Sequence, residues 1–438
     1  MTCTVSTAER RKLLYGVSDS IRRYFGEHIA IYFAFLEFYT EMLVPATLLA
    51  IIMFFVSFFS LESLQGIGAF AAFNMLWATF FFVRWKRYCA TLAYRWGTLL
   101  KPNEQLELPR PQFRGKMGKN PVTGFPEPVY SERKRNLWIT FVSYPSVALC
   151  LLTSAYVLNK FMTERNKINN TAEQVAVQAS GFSSFLWVYI PSVLYTVWTK
   201  CFSLISGRTA VWLTDRENHR LQSHYEFHLI WKLLLFNFVN SFSSLFYIAF
   251  WVQDLVLLRT HLAAQLITNQ MTDQIPEIIL PWIKVRLDQW IFKQQAKTLE
   301  AHADEYDDPN FMVLKEQATI EGQLPEYPGT FDDYVELLLQ FGHCFLFSSA
   351  FPVAPLFALL NNLIEIRGDG FKVSNVIRRP FAQPANGIGP WQVAFELMGF
   401  VAVVTNLALI FVSPETKNSF PATWTNGQLI LAFVVLEV

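Results

Sequence analysis

The chain has 438 residues, 52% hydrophobic and only 16% charged, where an average soluble protein carries about 25% charged residues. Aromatic side chains make up 16% and the net charge is +1. These values exclude a disordered or collagen-like chain and a small disulfide scaffold, argue against a soluble two-domain enzyme, leave no electrostatic footprint for nucleic acid, and indicate a polytopic membrane protein.

In chain order, residues 1–41 read as a cytosolic lead-in whose stretch Tyr24–Tyr39 is an interfacial helix. About 20 apolar residues cross a bilayer as helix. Uncharged runs of that scale follow at Met42–Leu61, Ser63–Val83, Asn136–Asn159, Gln174–Thr199, Leu233–Gln253, Leu337–Ile364 and Leu397–Pro414. Proline removes a backbone donor and clashes with the preceding turn. Phe351-Pro352 and Pro355 therefore predict that the sixth run is two helices, 331–350 and 353–373, hinged at Pro352 on the outer side. Residues 252–283 are apolar but carry Asp254, Arg259, His261, Asp273 and Glu277, and read as a polar, function-bearing span.

The expected architecture is an all-α integral membrane bundle with nine complete spans and a partial tenth near Leu429–Val435. Spans one to six occupy 42–283, a cytosolic linker 284–330, a hairpin of spans seven and eight 331–373, and the last two spans 374–438. No internal repeat and no signal peptide are visible.

Orientation follows Lys and Arg. The segment 84–135 holds Lys86, Arg87, Arg95, Lys101, Arg110, Arg114, Lys116, Lys119, Arg133, Lys134 and Arg135, so it is placed in the cytosol as a Pro/Gly-rich loop, with 204–228 as a second cytosolic loop. Loop 160–182 then lies outside, where Asn169 begins a glycosylation sequon. Cys3, Cys89, Cys150, Cys201 and Cys344 fall in the cytosol or in spans, and no disulfide is expected.

The hairpin carries the most chemistry. From Glu336 to Pro352 is about 24 Å of helix and from Pro352 to Glu365 about 20 Å; both fall short of the roughly 30 Å hydrocarbon core. Folding at Pro352 brings Asp333, Glu336, Glu365 and Asp369 to similar depth in the cytosolic third of the membrane. Asn361, Glu365 and Asp369 share a helix face, as do Asp333 and Glu336. Such carboxylates repel one another unless protons, bases or a divalent cation neutralise them; Arg367 is the near base in sequence. Oxygen-only donors favour a hard cation, Ca²⁺ over Mg²⁺ where the carboxylates are many and flexible. Asn269 and Asp273, also i, i+4, extend the set. The plain alternative is that these are boundary charges at water level.

Polar stripes mark three spans: Ser192, Thr196 and Thr199; Asn237, Asn240, Ser241 and Ser244; His261, Gln265, Thr268, Asn269 and Thr272. Together they could line a hydrophilic groove, or serve as helix–helix hydrogen bonding. His224 and His228 offer half a zinc site without a third ligand. No nucleophilic triad, P-loop or dinucleotide motif is present, and no enzyme activity is expected.

The stretches IRRYFGEHIAIYFAFLEFYTEMLVP (21–45), FNMLWATFFFVRWKRYCATLAYRWGTL (73–99), ENHRLQSHYEFHLIWKLLLFNFVNSFSSLFYIAFW (217–251), FDDYVELLLQFGHCFLFSSAFPVAPLFALLNNLIEIRGDG (331–370) and RRPFAQPANGIGPWQ (378–392) resemble the anoctamin family, most closely its anoctamin-ten type. The resemblance implies homodimers of ten-span subunits, each with a groove lined by spans three to seven, moving chloride, phospholipids or both under cytosolic Ca²⁺. Matched by motif, it assigns Ca²⁺ ligation to Asn269, Asp273, Asp333, Glu336, Asn361, Glu365 and Asp369. Asp273 and Asp333 stand where better-studied members carry Glu, one methylene longer. The resemblance also implies further sequence at both ends, so this chain is expected to be a fragment or short form. Expected partners are membrane lipids, chloride and a second copy of the full-length chain. The expected location is the plasma membrane or an endomembrane such as the endoplasmic reticulum. A non-conducting membrane-contact or scaffold protein is the rival expectation.

Overall fold

The computed structural model describes residues 18–59, 64–99, 109–119, 124–176, 182–274 and 324–412, with Gly322 and short pieces between 279 and 291. They belong to two compact units, one joining residues 1–100 to 253–438 and the other contiguous over 101–252.

In the first unit a helical segment at 18–25 stops at Gly26, and α1 (Glu27–Phe59) then runs unbroken. The interfacial helix expected over Tyr24–Tyr39 and the span expected from Met42 are therefore largely one rod. Hydropathy marks where lipid begins, not where a helix begins. Gly26 is the required break: its φ is +94°, and a Cβ there would lie 2.8 Å from Ala382 Cα. The segment that fills this notch is held by the His28 N–H donating to the Gln383 carbonyl at 3.2 Å. Arg379 donates to the Tyr24 carbonyl at 2.8 Å and lies 4.3 Å over its ring.

Tyr32, Phe35, Tyr39, Leu43, Ala46 and Ala50 recur at helical spacing on α1 and are almost wholly buried. This face packs along α9 (Ala354–Phe371). From α2 (Leu64–Trp96), Trp77, Phe81 and Trp85 enter the same core at four-residue intervals. Phe35 meets Trp85 and, from α10 (Pro390–Val412), Phe395, each edge-on with centroids 4.9 Å apart. Lipid tails are as apolar as this core, so shape-matched packing rather than water exclusion holds it; each aromatic pair contributes about 0.5–1.5 kcal/mol beyond its buried area. Gly399 lets α10 approach α2, since a Cβ there would fall 2.6 Å from the Phe82 ring.

The run 337–364 is broken. Helix α8 (Phe331–Phe345) ends, turns occupy 346–353, and α9 begins at Ala354. Backbone groups released in a membrane must be re-satisfied, and Asn406 of α10 does much of this. Its amide donates to the Phe345 carbonyl at 2.6 Å, and its oxygen accepts from the Ser349 N–H at 3.0 Å and the Ser348 hydroxyl at 3.1 Å. Arg259, on α7 (Leu255–Gln274), donates to the Ala350 carbonyl at 3.1 Å. Asp254 caps α7 by accepting from Val256 and Leu257 N–H at 2.9 and 3.0 Å. Two of the polar residues read as function-bearing in 252–283 are thus structural.

In the second unit the Pro/Gly-rich loop forms an antiparallel hairpin, β1 (Lys116–Lys119) and β2 (Pro126–Val129), in register Lys116 to Val129. There follow α3 (Glu132–Trp138), a π turn at Ile139–Ser143, α4 (Tyr144–Ala176), α5 (Phe182–Glu217) and α6 (Gln222–Phe246), which continues as a π turn over Tyr247–Val252. Helices α4, α5 and α6 pack mutually around Val147, Phe202, Leu213 and Phe236. Most of the loop expected at 160–182 is helical through Ala176, and only 218–221 interrupts the helices in the loop expected at 204–228. Charged and amide side chains end a membrane span without ending a helix, because Glu, Lys, Gln and Arg are themselves good helix formers. Among the described residues four helical stretches are long and apolar enough to cross a membrane: Glu27–Met53, Glu132–Phe161, Gln222–Val252 and Pro390–Leu409.

Candidate metal centre

Asp333 and Glu336 lie near the start of α8, and Asn361, Glu365 and Asp369 succeed one another along α9. Antiparallel return of the chain through 346–353 sets the first turn of α8 against the last turns of α9. Asp333, Asn361, Glu365 and Asp369 are all buried, and Glu336 is half-buried. Asp369, Glu365 and Asp333 all act electrostatically on one phenol oxygen, that of Tyr32 on α1. Acids from both helices thus surround one locus.

Protein donors hold three of these acids. The Tyr32 hydroxyl donates to Asp369. The Asn361 amide donates to Glu365 at 3.1 Å. The Lys372 ammonium, in the π turn Lys372–Val376 that follows α9, donates to Asp333 at 3.3 Å. Tyr327, just ahead of α8, is kept neutral: burial, then the Asp333 and Asp369 charges, push its phenol above the ordinary range. Arg367, the base expected from sequence to neutralise the acids, is exposed and turned to the Leu363 carbonyl of its own helix at 3.5 Å. The near ammonium is Lys372.

The donor set suits a hard cation. It is all oxygen, with four carboxylates beside the Lys372 ammonium among the described residues. Asn269 and Asp273 belong to α7, but their side chains lie outside the described residues.

The polar stripes separate. Thr199, Asn237, Asn240 and Ser241 are half-buried in the second unit, and the Asn240 amide donates to the Thr199 carbonyl at 3.4 Å. That pair ties α5 to α6. Ser244 is fully buried. His261 and Gln265 are half-buried on α7 in the first unit. The side chains of Ser192, Thr196, Thr268 and Asn169 lie outside the described residues; the backbone of Asn169 is helical.

A tighter cluster is one the sequence did not suggest. The ligand atoms of Glu217, His219 and His228 lie within 4.8 Å of one another. His228 partners His219, its ring stacked 4.4 Å away, and not His224 as the i, i+4 spacing predicts. His219 Nε2 lies 2.8 Å from Glu217 Oε2. The Lys232 ammonium reaches both Glu217 oxygens, at 2.8 and 3.0 Å, and also donates to Thr214 at 3.0 Å. Burial raises the Glu217 carboxyl, but hydrogen bonds from His219 and Lys232 and the Lys232 charge outweigh it and hold it at about 2. With its carboxylate already paired to the Lys232 ammonium, the cluster is a buried ion-pair network. Its sequence signal is Glu-Asn-His-Arg at a helix end, with Lys fifteen residues after the Glu.

Residues 21–438 match the family described as "Anoctamin: Calcium-activated chloride channel". Mouse anoctamin-10 is 43% identical over 97% of this chain and 62% of its own length. Human anoctamin-10 is 42% identical over 98% of the chain and 62% of its length. Human anoctamin-8 is 27% identical over 96% of the chain and 50% of its length. The chain therefore spans about 62% of the anoctamin-10 relatives from mouse and human. A helical, membrane-type chain matched along nearly its whole length in this way belongs to the anoctamin family.

Proposed function

We propose that the protein is a Ca²⁺-regulated anoctamin-type transporter, built as a ten-span subunit of a homodimer, that moves chloride, phospholipid or both through a groove along spans three to seven. The observation that carries this reading is the burial of Asp333, Asn361, Glu365 and Asp369 around one locus. Oxygen donors without a competing imidazole or thiol suit Ca²⁺. Asp333 and Glu336 supply ligands from α8, and Asn361, Glu365 and Asp369 from α9, with Asn269 and Asp273 completing the set from α7. Bound Ca²⁺ supplies the positive charge that cancels carboxylate repulsion. With that charge present, the arrangement that brings the residues of α7, α8 and α9 together would be favoured, and this differential affinity would bias access to the groove. Ser192, Thr196, Thr199, Asn237, Asn240, Ser241, Ser244, His261, Gln265 and Thr268 are the proposed polar lining.

The test is purified protein in liposomes, with fluorescent-lipid flipping and chloride flux followed with and without Ca²⁺. Ca²⁺-stimulated flipping or flux is expected, and its weakening in Glu336→Gln and Glu365→Gln. A second reading, a non-conducting membrane-contact protein, is favoured by the Asn240–Thr199 hydrogen bond, which uses a stripe residue as helix glue. Neither flipping nor flux at any Ca²⁺ concentration would select it.

A further inference from the structure

The site proposed for Ca²⁺ is met by a cation the chain carries itself. Lys372 follows Asp369 by three residues, one turn further along the face that presents Asn361, Glu365 and Asp369. Its ammonium reaches across to Asp333 on α8, 3.3 Å away. The link thus joins the same two helices whose acids form the site. Both side chains are largely shielded, at 20% and 10% exposure, so water screens the contact little. The segment that holds Lys372 is a π turn, Lys372–Val376, at the end of α9. Such turns are uncommon and gather at functional sites.

Resting on the reading of Asp333, Glu336, Asn361, Glu365 and Asp369 as a Ca²⁺ site, we propose that Lys372 is a tethered cation that competes with Ca²⁺ for Asp333. An ammonium 3.3 Å from Asp333 Oδ1 opposes a divalent ion on that carboxylate, because the two positive charges repel at that range. Ion entry therefore costs the chain part of the Lys372–Asp333 contact. Tyr32 behaves differently: a neutral phenol bonded to Asp369 orients that carboxylate and remains compatible with metal ligation, as outer-shell donors do. Lys372 therefore lowers Ca²⁺ affinity and Tyr32 raises it, two opposite effects from neighbouring donors.

The test uses the full chain in detergent, with the rise in melting temperature followed against Ca²⁺ concentration. Lys372→Met and Lys372→Gln should each lower the half-maximal Ca²⁺ concentration about five-fold or more. Lys372→Arg should stay near the parent, and Tyr32→Phe should raise the midpoint. Should Glu365→Gln leave the Ca²⁺ midpoint unmoved, the site reading itself fails. Should Glu365→Gln shift it while neither Lys372→Met nor Lys372→Gln lowers it, the site stands and the tethered cation is refuted.

Discussion

Glu217 and Lys232 show how one buried pair can be indispensable without adding much net stability. Glu217 is 0% exposed and Lys232 5%. Taking both from water costs about as much as their attraction returns, but removing one partner strands the other, typically at about 3–5 kcal/mol. Lys232→Met should therefore lower the melting temperature sharply, and Glu217→Gln/Lys232→Met should recover much of the loss; a double variant as unstable as the worse single variant would contradict this. The carboxyl is held at about 2, below its ordinary 4.5. Its contribution is therefore complete above pH 4.5 and is lost as pH falls from there towards 2. Melting temperature measured across that window should fall less steeply in Glu217→Gln than in the parent.

The same residues mark what sequence spacing can and cannot reveal. Asn361, Glu365 and Asp369 sit on one helix, so the 3.6-residue period alone put them on one face, and all three are buried together. Sequence proximity singles out Arg367, which turns to its own helix's carbonyl, whereas the base that reaches Asp333 is Lys372, past the end of α9. Partners such as His219 and His228 are brought together by a chain turn, which no helical period encodes.

At the scale of elements, the turn between α8 and α9 is a helix break whose open backbone groups are answered by side chains of other helices. Phe351-Pro352 announced the break. The residues that make it affordable in lipid, Asn406 and Arg259, come from α10 and α7 and were not legible as such. Asn406→Leu should leave the Phe345 carbonyl and the Ser349 N–H unanswered, at about 1–3 kcal/mol per buried group. The expected result is a lower melting temperature with the Ca²⁺ midpoint moved as well, because α8 and α9 are jointly aimed by this turn. An unchanged melting curve would mean water or lipid headgroups satisfy the turn. The helix ends near 96, 176 and 217 were placed badly by composition, for hydropathy tracks solvent and these helices run on beyond the apolar runs that signalled them.

For the molecule as a whole, the charge asymmetry makes a topological prediction. Sequons inserted one at a time should acquire glycans near Asn169 and remain bare near Lys116 if the Lys/Arg-rich segment faces the cytosol, as its charge predicts. The reverse pattern would overturn the orientation and with it the cytosolic access of Ca²⁺ to Asp333 and Glu365. The helical membrane character of the chain was plain from composition; the number of spans rests on pattern and family resemblance.

The notch at Gly26 also bears on the order of events at the ribosome. The segment that fills it, Arg379 to Gln383, is made more than 350 residues after the helix it grips. Within that interval the second unit, contiguous over 101–252, can complete its own contacts before α7, α8 and α9 of the first unit are made. The entry end of α1 is thus secured by a segment made long after it. A substitution at Arg379 or a bulkier residue at Ala382 therefore acts on a contact formed late in synthesis, when the body of α1 is already in place.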